Sequence, residues 1–269
     1  MILFFLSCLS NEPAQTWSEL PSSTYCSEVE VDERESCRVQ ECQNAIVASG
    51  APSTVDAPAL TLLCERMESS GSEGAQQCGI QACYYLPQVE LSEAMRILMS
   101  SLPISANQKR ARGAIIRGVL ESDSLFALVL DSAIERPLKN SGWYGLAVAE
   151  LDCTAGGVSQ EMGLSCPKVT GDNVARILRL AESLSDNPTE YRTLLNMASA
   201  GNFQESAASL VSILTSETVT QAQRASAISA ILLALQREER LPKSLVSDFV
   251  QLCDAPSPDL TSLCSDLLR

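Results

Sequence analysis

Asn187-Pro188-Thr189-Glu190, Asn202-Phe203-Gln204-Glu205 and Thr220-Gln221-Ala222-Gln223 are three helix beginnings written into one continuous stretch. Each sets a side chain able to accept a helix's first orphan amide three residues before a Glu or Gln that can return the bond. Pro188 occupies the first helical position, where a missing N–H is no loss. Gly201 closes the first of these helices. The second runs through Leu210, Val211 and Leu214, and the third through Ile228, Ile231, Leu232 and Leu235. Helices of this length joined by such short loops must lie antiparallel to their neighbours. The expected fold class is all-α: an array of antiparallel helical hairpins, solenoid-like or an irregular bundle.

The same grammar extends outward. Asp172 opens a helix with Val174, Ile177, Leu178 and Ala181 on one face. Pro242 starts another that ends at Cys253, and Ser257-Pro258 caps a last one carrying Leu260, Leu263, Cys264 and Leu267. Upstream, Pro87 is expected to open a segment in which Leu91, Ala94, Met95, Leu98 and Met99 share a face. Residues 107–120 turn Ala111, Ile115 and Val119 inward. Residues 123–135 are apolar nearly all round, so that helix is expected to be central, and Pro137 stops it. A content of 45% hydrophobic but only 4% aromatic residues suits helices packed through small and aliphatic side chains, and argues against a β-sandwich.

Within the array, Ala200-Gly201-Asn202-Phe203-Gln204-Glu205-Ser206, followed by Leu210 and Ile213, is similar to the turn and second helix of a tetratricopeptide repeat. The likeness covers about half of one repeat, and armadillo/HEAT-like packing is equally compatible. It implies a helical-repeat architecture and no particular ligand.

The cysteines form a ladder. Cys26, Cys37 and Cys42 are echoed by Cys64, Cys78 and Cys83, and wide couples recur at Cys153/Cys166 and Cys253/Cys264. Of 11 cysteines, setting Cys8 aside leaves an even number. Such density argues for an oxidising compartment, because thiols in the cytosol stay reduced. Zinc is disfavoured: the close couples are five apart, no CxxC occurs and there is no histidine. The four wide couples read as helix–turn–helix corners stapled across the turn. Cysteines five apart on a helix differ by about 140° and face different neighbours. Symmetry therefore favours Cys26–Cys37 and Cys64–Cys78 as local bridges, with Cys42–Cys83 joining the two units, though many other connectivities remain open.

At the amino terminus, Met1-Ile2-Leu3-Phe4-Phe5-Leu6 leads into Ser7-Cys8. Phe5-Leu6-Ser7-Cys8 resembles the lipobox of bacterial lipoproteins, with Phe5 where Leu is usual. The resemblance implies that Cys8 becomes the first mature residue and carries the lipid. The run lacks the positively charged start of such signals and is short in apolar residues; a start codon further upstream would explain both. Leu9 follows Cys8, not the Asp that retains enteric lipoproteins at the inner membrane. The implied address is the outer membrane, facing the periplasm or the cell surface. The expected organisation is a truncated signal at 1–8, a flexible tether at 9–25, a disulfide-rich helical region at 26–86, a helical core segment at 87–152 and a hairpin array at 153–269.

Chemistry is sparse. A net charge of −14 repels phosphate backbones, so nucleic acid is not an expected partner. The absence of histidine removes the commonest general base. Ser165-Cys166-Pro167-Lys168 fits a Ser-x-x-Lys pattern but lacks the companion motifs of that chemistry. Paired carboxylates such as Glu28/Glu30 and Glu238/Glu239 read as solvated surface. Lys109, Arg110, Arg112 and Arg117 form the one basic cluster, a solvated helix face or a docking patch for an acidic partner or a lipid headgroup. The expectation is therefore a lipid-anchored scaffold or assembly factor that binds another envelope protein, with no catalysis, cofactor or metal. The alternative is a secreted helical ligand carrier, or an enzyme with an interhelical pocket.

Overall fold

The computed structural model describes residues 57–66, 73–100, 105–137, 142–154, 156–237, 240–254, 260–261 and 264–265. Cys8, the tether and the first cysteine unit (Cys26, Cys37 and Cys42) lie outside the described residues. The described residues form twelve α-helices and one 3-10 turn, Lys243–Leu245. In chain order the helices are α1 (Ala57–Arg66), α2 (Glu73–Val89), α3 (Leu91–Met99), α4 (Ala106–Leu120), α5 (Asp123–Glu135) and α6 (Tyr144–Asp152). They continue as α7 (Val158–Glu161), α8 (Gly171–Ser183), α9 (Pro188–Gly201), α10 (Phe203–Thr215), α11 (Gln221–Gln236) and α12 (Val246–Asp254). The chain is all-α, built of packed helical hairpins and stapled by disulfides. It divides into two compact units: one runs through Leu125 and includes Ala155–Leu164, and the other comprises Phe126–Thr154 and Ser165 onward.

In the first unit α2 is the hub, with α1, α3 and α4 packed on it. It buries Cys78, Ile80, Ala82, Cys83, Tyr84 and Leu86. Helix α4 comes so close that a Cβ at Gly118 would overlap the Tyr84 carbonyl oxygen, so glycine sets the helix spacing here. Pro87 does not open a new segment, as its fixed φ and missing donor had suggested. Helix α2 runs through it to Val89, and the proline is buried facing Gly118. A ring this near the helix end breaks little of the bond ladder, and its packing against α4 offsets that loss.

The sulfur pairing also differs from the symmetric expectation. Cys64 bonds Cys83, not Cys78, tying α1 to α2 with Cα atoms 4.8 Å apart. Both cysteines are fully buried. Cys83 is thereby unavailable to Cys42. Cys78 is itself disulfide-bonded, with a partner outside the described residues. The physical reason is the rotation between positions five apart: one of the two cysteines can face α1, and it is Cys83.

In the second unit α9 is the hub, packing on α6, α8, α10 and α11. Ala198, Ser199, Ala200 and Gly201 of α9 are buried, as are Ala227, Ala230 and Ala234 of α11. These small side chains bring the two helices close enough for the Ser199 hydroxyl to donate to the Ala230 carbonyl at 2.7 Å. All three expected caps accept their amide, but the return bond of the box forms only at the third. Asn187 and Asn202 accept from the amides of Glu190 and Glu205, and Thr220 with Gln223 completes a reciprocal box. Asn202 also donates to the Val169 carbonyl at 3.0 Å, while the Val169 amide donates to Gly201 at 3.0 Å. The strap 164–170 is thus held at the α9–α10 corner.

Cys153–Cys166 and Cys253–Cys264 are bonded as their spacing suggested, with Cα separations of 5.7 and 5.5 Å. Helix α5 is less enclosed than its composition implied. Phe126, Val129, Leu130 and Ala133 are buried, but Leu128 is 58% exposed. Asp131, also exposed, pairs with Arg176 at 3.1 Å. Periodicity averages over faces; neighbours cover only one of them.

Candidate functional site

The basic cluster of α4 does not form one surface. Lys109 is exposed and Arg110 half-buried, whereas Arg112 and Arg117 are buried. Arg112 reaches out of the core to the Ser100 carbonyl and, at 3.1 Å, to the Ser100 hydroxyl. Arg117, 1% exposed, donates from Nη1 to Ser159 Oγ at 3.0 Å and from Nε to Glu121 Oε1 at 2.9 Å. The Tyr84 hydroxyl donates to the other Glu121 oxygen. Burial, then this bond to a carboxylate, raises the Tyr84 phenol above its ordinary value. The cluster locks α2, α4 and α7 together. A guanidinium can be buried this way because its stem packs against apolar neighbours while its donors meet acceptors. As a site, the four cations reduce to Lys109 and Arg110.

Ser165 and Lys168 lie exposed on the strap, beside the bridged Cys166. The strap is irregular, not helical. On a helix, residues three apart share a face; in an irregular stretch the spacing alone sets no common face. The spacing thus loses the meaning it has in serine–lysine catalysis. Trp143 and Tyr144 are core residues, with ring centroids 4.5 Å apart and no exposed face to offer a ligand. Burial, then the charge of Glu190, raises the Tyr144 phenol. Among the described residues no group of three potential metal-ligating side chains comes together. No helix among them is long and apolar enough to cross a membrane.

Two concavities stand out among the described residues. In the second unit a groove of about 490 Å³ runs between α10, through Ala208, Val211, Ser212 and Thr215, and the 3-10 turn with α12, through Leu245, Asp248, Gln251 and Leu252. Helix α12 is anchored by buried Phe249, and on its other flank Val246 and Val250 stand 45% and 47% exposed. In the first unit a smaller cavity of about 290 Å³ lies among Gln76, Gln77, Ile80 and Gln81 of α2, Arg110 of α4, and Glu161 and Met162 at the α7 turn.

One organising residue carries no sign in the sequence. Arg237 donates to the Ala200 carbonyl at 2.9 Å and the Leu151 carbonyl at 3.4 Å, and pairs with Asp152 at 3.0 Å. It closes the carboxyl ends of α9 and α6, where helix dipoles favour a cation. A basic residue ending α11 would ordinarily be read as serving α11 itself. Comparison with known proteins returns no match: no family model, no curated protein and no solved structure corresponds to this chain.

Proposed function

We propose that this chain is a lipid-anchored protein of the bacterial outer membrane that binds another envelope protein and performs no chemistry of its own. The disulfides support an oxidising address outside the cytosol. The lipobox-like Phe5-Leu6-Ser7-Cys8 supports tethering through Cys8.

The observation that carries the binding role is α12. This amphipathic helix has one apolar line turned inward at Phe249 and a second, Val246 and Val250, left open to solvent. The other side of the helix opens on the α10–α12 groove. An exposed apolar stripe one helical turn long, flanked by a groove, suits the apolar face of a partner helix.

The test is site-specific photocrosslinking from Gln251 in intact envelopes. Val246→Glu with Val250→Glu should abolish the crosslinked species, and Ala208→Trp, which fills the groove, should weaken it, both with unchanged circular dichroism. A crosslink that survives the double substitution would sink the role of α12. Cys8→Ser should release the protein from membranes and end fatty-acid labelling; retention would sink the lipid anchor.

A further inference from the structure

We infer that the first unit carries a binding site for a neutral, hydroxyl-rich ligand the size of a single sugar ring, in the cavity between α2, α4 and the α7 turn. The cavity's volume of about 290 Å³ sits at the small end of ligand pockets, enough for one ring. Its lining is unusual for an interhelical gap because planar polar groups dominate. Gln77 and Gln81 lie one turn apart on α2, Gln76 adjoins Gln77, and Arg110 and Glu161 complete the polar lining. A carboxamide, a carboxylate and a guanidinium each present two polar atoms in a plane, a spacing that matches the two oxygens of a vicinal diol.

The charges decide between ligand classes. Arg110 Nε lies 3.2 Å from Glu161 Oε1, and Nη1 donates to Gln76 Oε1 at 3.2 Å. The guanidinium is therefore neutralised inside the site, and an anionic ligand would have to displace a carboxylate already in place. These contacts engage two of the five guanidinium N–H donors and one of the two Glu161 oxygens. A neutral polyol can use the rest without breaking the pair. The Gln81 amide makes no hydrogen bond to another described side chain or backbone group, so it is open to a ligand. Ile80 and Met162 complete the lining with apolar surface suited to the C–H face of a ring. No aromatic platform lines the cavity, so binding is expected in the millimolar range, as for a single unit of a longer glycan.

The site lies in the first unit and does not depend on α12, so it can fail or succeed independently of the docking role. The experiment is protein-observed NMR on the full chain, titrated separately with glucose, N-acetylglucosamine, inorganic phosphate and glycine. The expected result is saturable shifts from at least one sugar, mapping to residues 76–81 and 161–162, with none from phosphate or glycine. Gln81→Leu should weaken sugar binding about tenfold, the loss of one well-made hydrogen bond, and leave the thermal melt unchanged. Glu161→Gln uncovers the Arg110 charge, so phosphate should begin to bind as the sugar weakens, a change that a purely structural pair would not produce. Absence of saturable binding by both sugars would overturn the proposal. So would phosphate or glycine binding to the unsubstituted chain, or sugar binding indifferent to Gln81→Leu and Glu161→Gln.

Discussion

The first unit is pinned through its middle, and the second is knit from its ends. In the first, a fully buried Cys64–Cys83 bridge joins α1 to the hub α2. A buried guanidinium, Arg117, then binds α4 to α7 through Ser159, with Glu121 and Tyr84 closing the network. Helix α3 begins at Glu90 with no side-chain cap. In the second unit the two bridges lie at chain reversals, and Cys166 is exposed. There the hub α9 is bound by small-residue contact with α11, by side-chain caps and by Arg237 across two helix ends. Short helices such as α1 and α3 bury little by themselves, and a covalent link compensates by restricting the unfolded chain. Well-capped helices meeting through Ala, Ser and Gly gain their stability from close backbone approach and need crosslinks only at the periphery.

That contrast can be broken experimentally, most directly by removing sulfur. Cys64→Ala with Cys83→Ala should destabilise the first unit by about 4 kcal/mol, read by hydrogen exchange in α1 and α2. The matching Cys253→Ala with Cys264→Ala should cost less and loosen only the region beyond Pro242. Equal costs would erase the distinction between central and peripheral bridges. Next is Arg117→Met, expected to cost about 3 kcal/mol, the lower end for a broken buried pair because Glu121 keeps some access to water. Faster exchange should appear at α4 and α7, with α8–α11 unchanged.

Smaller effects sharpen the picture of the second unit. Asn202→Ala should cost about 1.5 kcal/mol and Thr220→Ala about 1 kcal/mol, measured by chemical denaturation. Asn202 loses more because it also holds Val169. Identical values would mean that the strap contributes nothing to the α9–α10 corner. The smallest effect belongs to Tyr144, whose buried hydroxyl has no hydrogen-bond partner. Tyr144→Phe should leave stability at neutral pH unchanged or raise it by about 0.5 kcal/mol, since it removes an unpaired polar atom.

The same residue has an alkaline signature. Tyr84, Tyr144 and Tyr191 all have phenols raised by burial above the ordinary value of 10.0. Above that pH the unfolded chain releases protons that the folded chain retains. Their contribution is therefore complete below about pH 10 and declines as pH rises beyond it. Tyr144→Phe should lessen that decline in a pH series of thermal melts.

What could be read from the residues alone was local. Asn187, Asn202 and Thr220 announce helix starts because a cap and the amide it serves are three positions apart. Cys153–Cys166 and Cys253–Cys264 were visible because their loops are short, 13 and 11 positions. The all-helical class follows from such signals repeated along the chain. Everything that depends on which face of a helix finds a neighbour was left to the tertiary structure. Arg112 and Arg117 share a charge with Lys109, yet burial separates them, since rotation about α4 turns them toward Ser100 and Ser159. Cys64 takes Cys83 over the nearer Cys78 for the same rotational reason. Arg237 caps helices that begin far from it in the chain. Sequence dictates what each turn of helix can offer; packing alone decides which side is covered, and so which cation becomes core, which valine stays exposed and where a cavity is left open.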